Sequence, residues 1–363
     1  MPARFRLDLD FAPDRCEYAL GDGLLAEVGP KTARLVTSPV CVLVTDSGVA
    51  ATPHAAAAES SLRRAGLAPR TVVVAAGETS KSVESANRLW REFAAAGLGP
   101  DGAVVALGGG MVGDLAGFCA ATWMRGVSLV QVPTTLLAMC DSAIGGKTAL
   151  DLPDGKNLVG AFHQPRLVLA DLAALDTLPG REFRAGLAEV VKCALLRDRG
   201  SLTHLRDASP ALAARDRGEV AGAVRLAVEV KADHVRGDVN DRGGRRTLLN
   251  LGHTTGHAIE AETGYAGVLH GEAVAAGLVV AARIACERRL CGEDLVAATH
   301  ATLGALGLPT APPTGLDPAR IAARTLLDKK RRGGRRRMVL PHARGGAGLY
   351  EVDDAEFLAA LAG

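Results

Sequence analysis

Three of the nine histidines fall in one short stretch, Asn-Leu-Gly-His-Thr-Thr-Gly-His-Ala-Ile-Glu-Ala-Glu-Thr-Gly-Tyr-Ala-Gly-Val-Leu-His-Gly-Glu, from Asn250 to Glu272. His253 and His257 are four apart, so on a helix both imidazoles share a face, one turn apart. Imidazole is the usual nitrogen ligand of zinc, and a catalytic zinc takes three protein ligands and keeps one position open. Spacing alone makes His253, His257 and a returning His270 the expected set. The plainer alternative is a helix start that carries two polar rings. A third histidine followed by Gly271-Glu272, and a glycine at 252, favour the metal. Upstream, Ala185-Gly-Leu-Ala-Glu-Val-Val-Lys192 puts Glu189 and Lys192 three apart on one helix face. A carboxylate on an otherwise apolar face costs free energy unless paired. Glu189 is therefore either a salt-bridge partner of Lys192 or a metal ligand.

A second group of residues suits a phosphate-bearing ligand. Gly108-Gly-Gly-Met-Val-Gly-Asp114 has the spacing G-x-G-x-x-G, which lets a pyrophosphate approach backbone N–H groups at a helix N-terminus. The acid expected about 20 residues later is missing, and Asp46, at the end of an earlier strand, is placed to take the ribose instead. A tight packing turn is the alternative. Asp114 is expected in the first helical turn, where a capping role would also explain it. Gly77-Glu78-Thr79-Ser80-Lys81 reads as another helix cap, with Lys81 left to reach an adenosine or a phosphate. Then comes a polar run: Pro133-Thr134-Thr135, Asp141-Ser142, Gly145-Gly146-Lys147-Thr148 and Gly155-Lys156-Asn157. Gly145–Thr148 matches the end of a P-loop, but the first glycine of that motif is absent, which excludes ATP there. The run still offers Lys147, Lys156 and Asn157 to an anion, close in sequence to Arg125 and the glycine loop.

These residues need elements to hold them. Apolar runs at Cys41–Thr45, Thr71–Ala75, Ala103–Leu107, Leu129–Val132 and Leu167–Ala170 read as strands. Helical patterns lie between them at about 52–65, 81–97 and 111–122. Such alternation predicts an α/β domain, a Rossmann-like parallel sheet covered by helices. An early hairpin is expected around Ala19–Gly23. Beyond about residue 173 helical periodicity takes over, near 180–197, 201–214, 216–236, 254–264, 270–290, 293–306 and 317–328, with a late strand at Arg337–Pro341. The expected organisation is an α/β nucleotide domain over 1–173 and an all-helical metal and substrate domain over 174–363. A ligand cleft is expected where two such domains meet.

Composition narrows the function classes. Apolar residues make up 48% and charged residues 23%, as in a soluble globular protein. A net charge of +2 predicts no attraction to nucleic acid or membrane. The one basic run is Lys329–Arg337. Seven scattered cysteines, an odd count with no two-residue spacing, argue against a disulfide framework and fit a reducing cytoplasm. No apolar run approaches the ~20 residues of a membrane span, and the N-terminal residues lack a signal core.

Together the motifs resemble the 3-dehydroquinate synthase family of sugar-phosphate cyclases, from about Val42 to Val339. The most specific are Gly-Gly-Gly-Met-Val-Gly-Asp-Leu-Ala-Gly-Phe, Val-Pro-Thr-Thr-Leu-Leu-Ala, Gly-Gly-Lys-Thr, Gly-Lys-Asn-Leu-Val-Gly-Ala-Phe, Gly-Leu-Ala-Glu-Val-Val-Lys and Gly-His-x-x-Gly-His-Ala-Ile-Glu…His-Gly-Glu. The resemblance implies a divalent metal, zinc or cobalt, held by Glu189, His253 and His270, with His257 beside the site near a substrate phosphate. It implies NAD bound by Asp46, Glu78, Lys81, Gly110, Asp114, Thr134, Thr135, Lys147, Lys156 and Thr177. It implies conversion of 3-deoxy-D-arabino-heptulosonate 7-phosphate to 3-dehydroquinate and phosphate by oxidation, β-elimination, reduction and intramolecular aldol closure. Lys192 and Asp141 would hold the C4 and C5 hydroxyl region, and Lys231 and Arg246 the carboxylate. Lys147, Asn157, Asn250, His257 and Lys330 would surround the phosphate, with Arg125 contributed by a second subunit of a homodimer.

The chain departs from the family pattern in places. Arg242 stands before Gly243-Gly244 where the family has an acid, and Asp241 lies one place back. The Lys231–Arg246 segment is one residue longer than the family pattern. Thr254 and Thr255 replace aromatics after the first metal histidine. These changes bear on substrate identity. The rivals are an aminodehydroquinate synthase, another sugar-phosphate cyclase of secondary metabolism, and a metal-dependent polyol dehydrogenase. The last needs no phosphate pocket, so Lys147, Asn157, Arg246 and Lys330 count against it.

Overall fold

A computed structural model describes residues 4–12, 14–327 and 336–362. The chain separates into two compact units, Met1–Pro179 with Val235–Asn240, and Gly180–His234 with Asp241–Gly363.

The first unit is built on a seven-stranded sheet. Its strands are β1 (Phe5–Phe11), β2 (Asp14–Gly21), β3 (Val40–Asp46), β4 (Ala68–Val74), β5 (Ala103–Gly108), β6 (Ser128–Pro133) and β9 (Leu167–Asp171), in the order β1-β2-β9-β6-β5-β3-β4. Only β1–β2 is antiparallel; the other pairs are parallel. Alternate side chains serve two cores. Val42, Val44, Val104 and Ala106 face one side and Cys41, Leu43, Val105 and Leu107 the other. Strands covered on both faces read as continuous apolar runs, which is why β3 and β5 are plain in the sequence. The covering helices are α1 (Val28–Ala33), α2 (Ser47–Ala50), α3 (Pro53–Arg64), α4 (Val83–Ala96) and α5 (Gly110–Thr122).

One expectation fails here. The early hairpin turns between Phe11 and Asp14, not around Ala19–Gly23, which is the end of β2 beside β9. The polar run after residue 146 carries strands not expected from sequence: β7 (Lys147–Leu152) and β8 (Gly155–Phe162) form an antiparallel hairpin. Its half-exposed strands carry too little apolar signal to read as sheet.

The second unit contains α6 (Gly180–Arg197), α7 (Arg199–Asp207), α8 (Ser209–Ala213), most of α9 (Arg217–Arg236), α10 (His253–Glu262), α11 (His270–Glu287), α12 (Glu293–Ala305), α13 (Pro318–Leu327) and α14 (Asp354–Ala362). It is mainly rather than wholly helical, because β10 (Arg336–Pro341) pairs with β11 (Ala347–Val352). Glycines let its helices touch backbone to backbone. A Cβ on Gly271 of α11 would lie 1.9 Å from the Ala185 carbonyl oxygen of α6, and one on Gly277 would lie 2.0 Å from that of Gly252, just before α10. Among the described residues no helix is long and apolar enough to cross a membrane.

Candidate functional site

In the second unit, α6, α10 and α11 bring Glu189, His253 and His270 together. Each offers a ligand atom, and these atoms lie within 4.8 Å of one another. Glu189 is 1% exposed on α6. One carboxylate oxygen, Oε2, receives the Lys192 ammonium in a short contact. The other, Oε1, has no hydrogen-bond partner among the described residues. It stands 3.6 Å from His253 Nε2 and 3.8 Å from His270 Nε2. A tetrahedral zinc with bonds of about 2.0–2.2 Å sets its ligand atoms about 3.3–3.6 Å apart. A buried carboxylate oxygen left without a donor is expensive, and one cation touching all three atoms would satisfy it. The residues fit a divalent metal.

Each imidazole is held by its other nitrogen. His253 Nδ1 lies 3.1 Å from the Leu251 carbonyl, and His270 Nδ1 lies 3.0 Å from Glu260 Oε2. Burial pushes the His253 pKa well below the usual histidine value, and Lys192, His270 and His257 push it further. The ring is thus neutral, the form a metal takes. The set drawn from spacing alone, with His257, is not the one assembled. His257 is exposed on α10, its ring centroid 5.4 Å from that of His253 and 6.0 Å from that of His270. Glu189 takes the place because a helix distant in sequence packs against α11 at Gly271. Lys231 and Arg246 are also buried, at 6% and 2% exposure. Asn250 donates to the Thr247 carbonyl at 2.8 Å. Lys330 lies outside the described residues.

In the first unit, Gly108–Gly110 join β5 to α5. A Cβ on Gly108 would come within 2.6 Å of Val112, and one on Gly110 within 3.0 Å of the Ser142 hydroxyl. No side chain among the described residues caps this helix start. Asp114 is not in the first turn; it lies one residue beyond it and meets Lys81 at 3.2 Å. Nor is Lys81 left to reach outward. It is 3% exposed, 2.7 Å from Asn157 Oδ1, 3.0 Å from Glu78 and 3.6 Å from Asp151. Burial alone would lower its pKa; the Asp114, Glu78 and Asp151 carboxylates outweigh that and raise it. Asn157 sits in the left-handed region, φ 56°, its N–H held by Asp151 at 2.8 Å. Lys156 lies 3.7 Å from Glu78.

Other expected residues occupy defined places. Asp46 caps α2, accepting from Gly48 and Val49 N–H. Thr134 is buried, with its N–H on the Gly108 carbonyl. Thr135 accepts from Ala138 N–H, and Asp141 lies in the short π-helical turn Ala138–Ser142. Thr177 meets His54 Nε2 at 2.8 Å. Lys147 is exposed at the start of β7, and Arg125 is exposed with φ 67°. Sequence reasoning missed Glu260, Asp151 and His54. Glu260 lies inside a quoted motif, and Asp151 lies between two of them, after Gly-Gly-Lys-Thr148 and before Gly155. His54 sits just after the start of an Ala-rich helix, with no signal.

The fold is similar to that of solved synthases that carry NAD+ and a divalent metal. The crystal structure of 2-deoxy-scyllo-inosose synthase with carbaglucose-6-phosphate, NAD+ and Co2+ is similar with TM-score 0.89 and 29% identity, over 99% of this chain and 100% of that one. That of 2-epi-5-epi-valiolone synthase from Streptomyces hygroscopicus subsp. jinggangensis, with NAD+ and Zn2+, is similar with TM-score 0.86 and 28% identity, over 95% of each. Residues 71–185 match the family model of the 3-dehydroquinate synthase N-terminal region and 186–331 that of its C-terminal region. The 3-dehydroquinate synthase of Xylella fastidiosa is 46% identical over 350 residues, 94% of each chain. The chain belongs to the 3-dehydroquinate synthase family.

Proposed function

We propose that this chain converts 3-deoxy-D-arabino-heptulosonate 7-phosphate to 3-dehydroquinate and phosphate, as a carbon–oxygen lyase that works as a cytoplasmic homodimer. The observation that carries the reading is the buried Glu189 oxygen, without a donor among the described residues, that faces two imidazole nitrogens in a chain of this family. The substrate's C5 carbinol is oxidised, phosphate leaves by β-elimination, the carbonyl is reduced again, and the opened ring closes by an aldol step. Bound NAD would accept the hydride and later return it, and a divalent metal, zinc or cobalt, would polarise the C4 and C5 oxygens.

The chain's own residues take the remaining roles. In the first unit, Asp46, Glu78, Lys81, Asp114, Thr134, Thr135, Lys156, Thr177 and the backbone at Gly110 hold the dinucleotide. The open start of α5 suits a pyrophosphate. In the second, Glu189, His253 and His270 hold the metal. Lys192, paired with Glu189, donates hydrogen bonds to the substrate's hydroxyl region. Arg246 offers a planar pair of donors to the carboxylate, with Lys231 beside it in role, and His257 and Asn250 serve the phosphate.

Purified protein with NAD+ and zinc or cobalt should be given the heptulosonate phosphate, its amino analogue and glucose 6-phosphate in parallel. The expected result is phosphate and 3-dehydroquinate from the first, at a kcat/KM well above the others. A preference for either alternative would replace the substrate assignment.

A further inference from the structure

Glu260 is a buried carboxylate, 5% exposed, in the last turns of α10. The role just proposed for the metal ligands leaves it unused. It faces His270, the first residue of α11, with Oε2 3.0 Å from Nδ1. His270 therefore stands between two carboxylates, Glu260 at Nδ1 and Glu189 Oε1 at Nε2, 3.8 Å away. A neutral imidazole has one N–H and one lone pair. With the proton on Nδ1, it donates to Glu260 and turns the Nε2 lone pair toward Glu189 and His253. The opposite tautomer would set the Nδ1 lone pair against a carboxylate oxygen at 3.0 Å, two acceptors with no proton between them.

The two metal-facing imidazoles differ in how they are anchored. His253 is enclosed, with 11% of its side chain exposed, and Nδ1 rests on a neutral backbone carbonyl. His270 is 33% exposed and has less packing to hold its ring. It is the one given a charged acceptor, and charge-assisted hydrogen bonds are roughly twice as strong as neutral ones. His257, Glu260 and His270 also form a second cluster with ligand atoms within 4.8 Å of one another. His270 cannot donate through Nδ1 to Glu260 and coordinate through the same nitrogen, so that cluster does not act as a separate cation site.

We propose that Glu260 is a positioning residue of the metal centre: it fixes the tautomer and ring orientation of His270 and strengthens Nε2 as a donor. This rests on the metal role proposed for Glu189, His253 and His270. Outer carboxylates of this kind are worth about 10- to 100-fold in metal affinity. The test is a zinc competition titration against a chromophoric chelator, on metal-free wild type, Glu260→Gln, Glu260→Leu and Glu189→Gln. The Co2+ absorption spectrum and the thermal midpoint of each metal-free protein are recorded alongside.

Glu260→Gln keeps an acceptor oxygen and loses the charge, so affinity should fall about 10-fold. Glu260→Leu should fall nearer 100-fold. Both should shift the cobalt spectrum, and Glu260→Gln should leave the metal-free thermal midpoint near wild type. Wild-type affinity and spectrum in both variants would overturn the proposal. So would loss of a second zinc equivalent in Glu260→Gln, because Glu260 would then be a ligand. If Glu189→Gln binds zinc as wild type does, the metal assignment itself fails, and that outcome is distinct from failure of Glu260 alone.

Discussion

Gly271→Ala should empty the metal centre without touching a ligand. The new Cβ would sit 1.9 Å from the Ala185 carbonyl oxygen and 2.5 Å from its carbon. Contacts of a Cβ below 3.0 Å essentially never occur, so α11 and α6 must part by about 1.1 Å. Both partners are helix backbone, so no side chain can rotate away. His270 is the residue before the substitution and Glu189 lies one helical turn beyond Ala185, so the displacement falls on two ligand-bearing residues. Metal bonds tolerate about 0.2 Å, far less than the movement required. Overpacking costs about 1–3 kcal/mol, with the upper end expected for a backbone clash. That corresponds to a fall of roughly 5–10 °C in thermal midpoint for a unit of this size. The assay is zinc content after dialysis, with thermal denaturation. Gly222→Ala, on α9 with nothing within 4 Å of the new methyl, is the control and should keep metal and stability. Full zinc and an unchanged midpoint in Gly271→Ala would refute the reasoning.

Arg246→Lys keeps the charge but loses the planar fork. Binding of a non-reactive, carboxylate-bearing substrate analogue should weaken about 10-fold or more, with zinc content unchanged; equal affinity by calorimetry would place carboxylate recognition elsewhere. Glu356 accepts two hydrogen bonds from Arg288, at 2.8 and 2.7 Å, which joins α14 to the end of α11. The hydrogen bond from Arg288 holds the Glu356 carboxyl below its ordinary pKa, against the opposing effect of burial. A lowered carboxyl pKa stabilises the fold above the unfolded value of about 4.3 and ceases to do so as pH falls through the folded value. The midpoint difference between wild type and Glu356→Gln, worth about 0.5–1 kcal/mol at neutral pH, should therefore disappear in acid. A difference that persisted well below pH ~4 would contradict the ion pair as its source.

Local pattern carried the parallel strands, because β3, β5 and β6 are apolar on both faces, and it carried the long helices through their periodicity. It failed where neighbours far along the chain decide the outcome. Nothing near Lys81 announces the Asp114 and Asp151 carboxylates that join Glu78 around its ammonium. The β7–β8 hairpin is polar along much of its length, so turn residues and lysines masked its strands. At the metal centre, spacing offered His253, His257 and His270, all from one stretch. The third ligand atom in the cluster comes instead from Glu189, delivered by the close contact at Gly271; its apolar helix face left it open between ion pair and ligand, and motif resemblance favoured the ligand. Glu260 ends a quoted motif, yet its role depends on which ring nitrogen it meets, and sequence does not hold that distance.

The most direct test of the account is a single reaction followed two ways. Wild-type protein, zinc, NAD+ and excess 3-deoxy-D-arabino-heptulosonate 7-phosphate are mixed, and released phosphate is measured while absorbance reports NADH. If the dinucleotide is a recycled cofactor, phosphate should accumulate over many turnovers, matched by 3-dehydroquinate, with no net NADH. NADH rising in step with product, or no phosphate release, would contradict it.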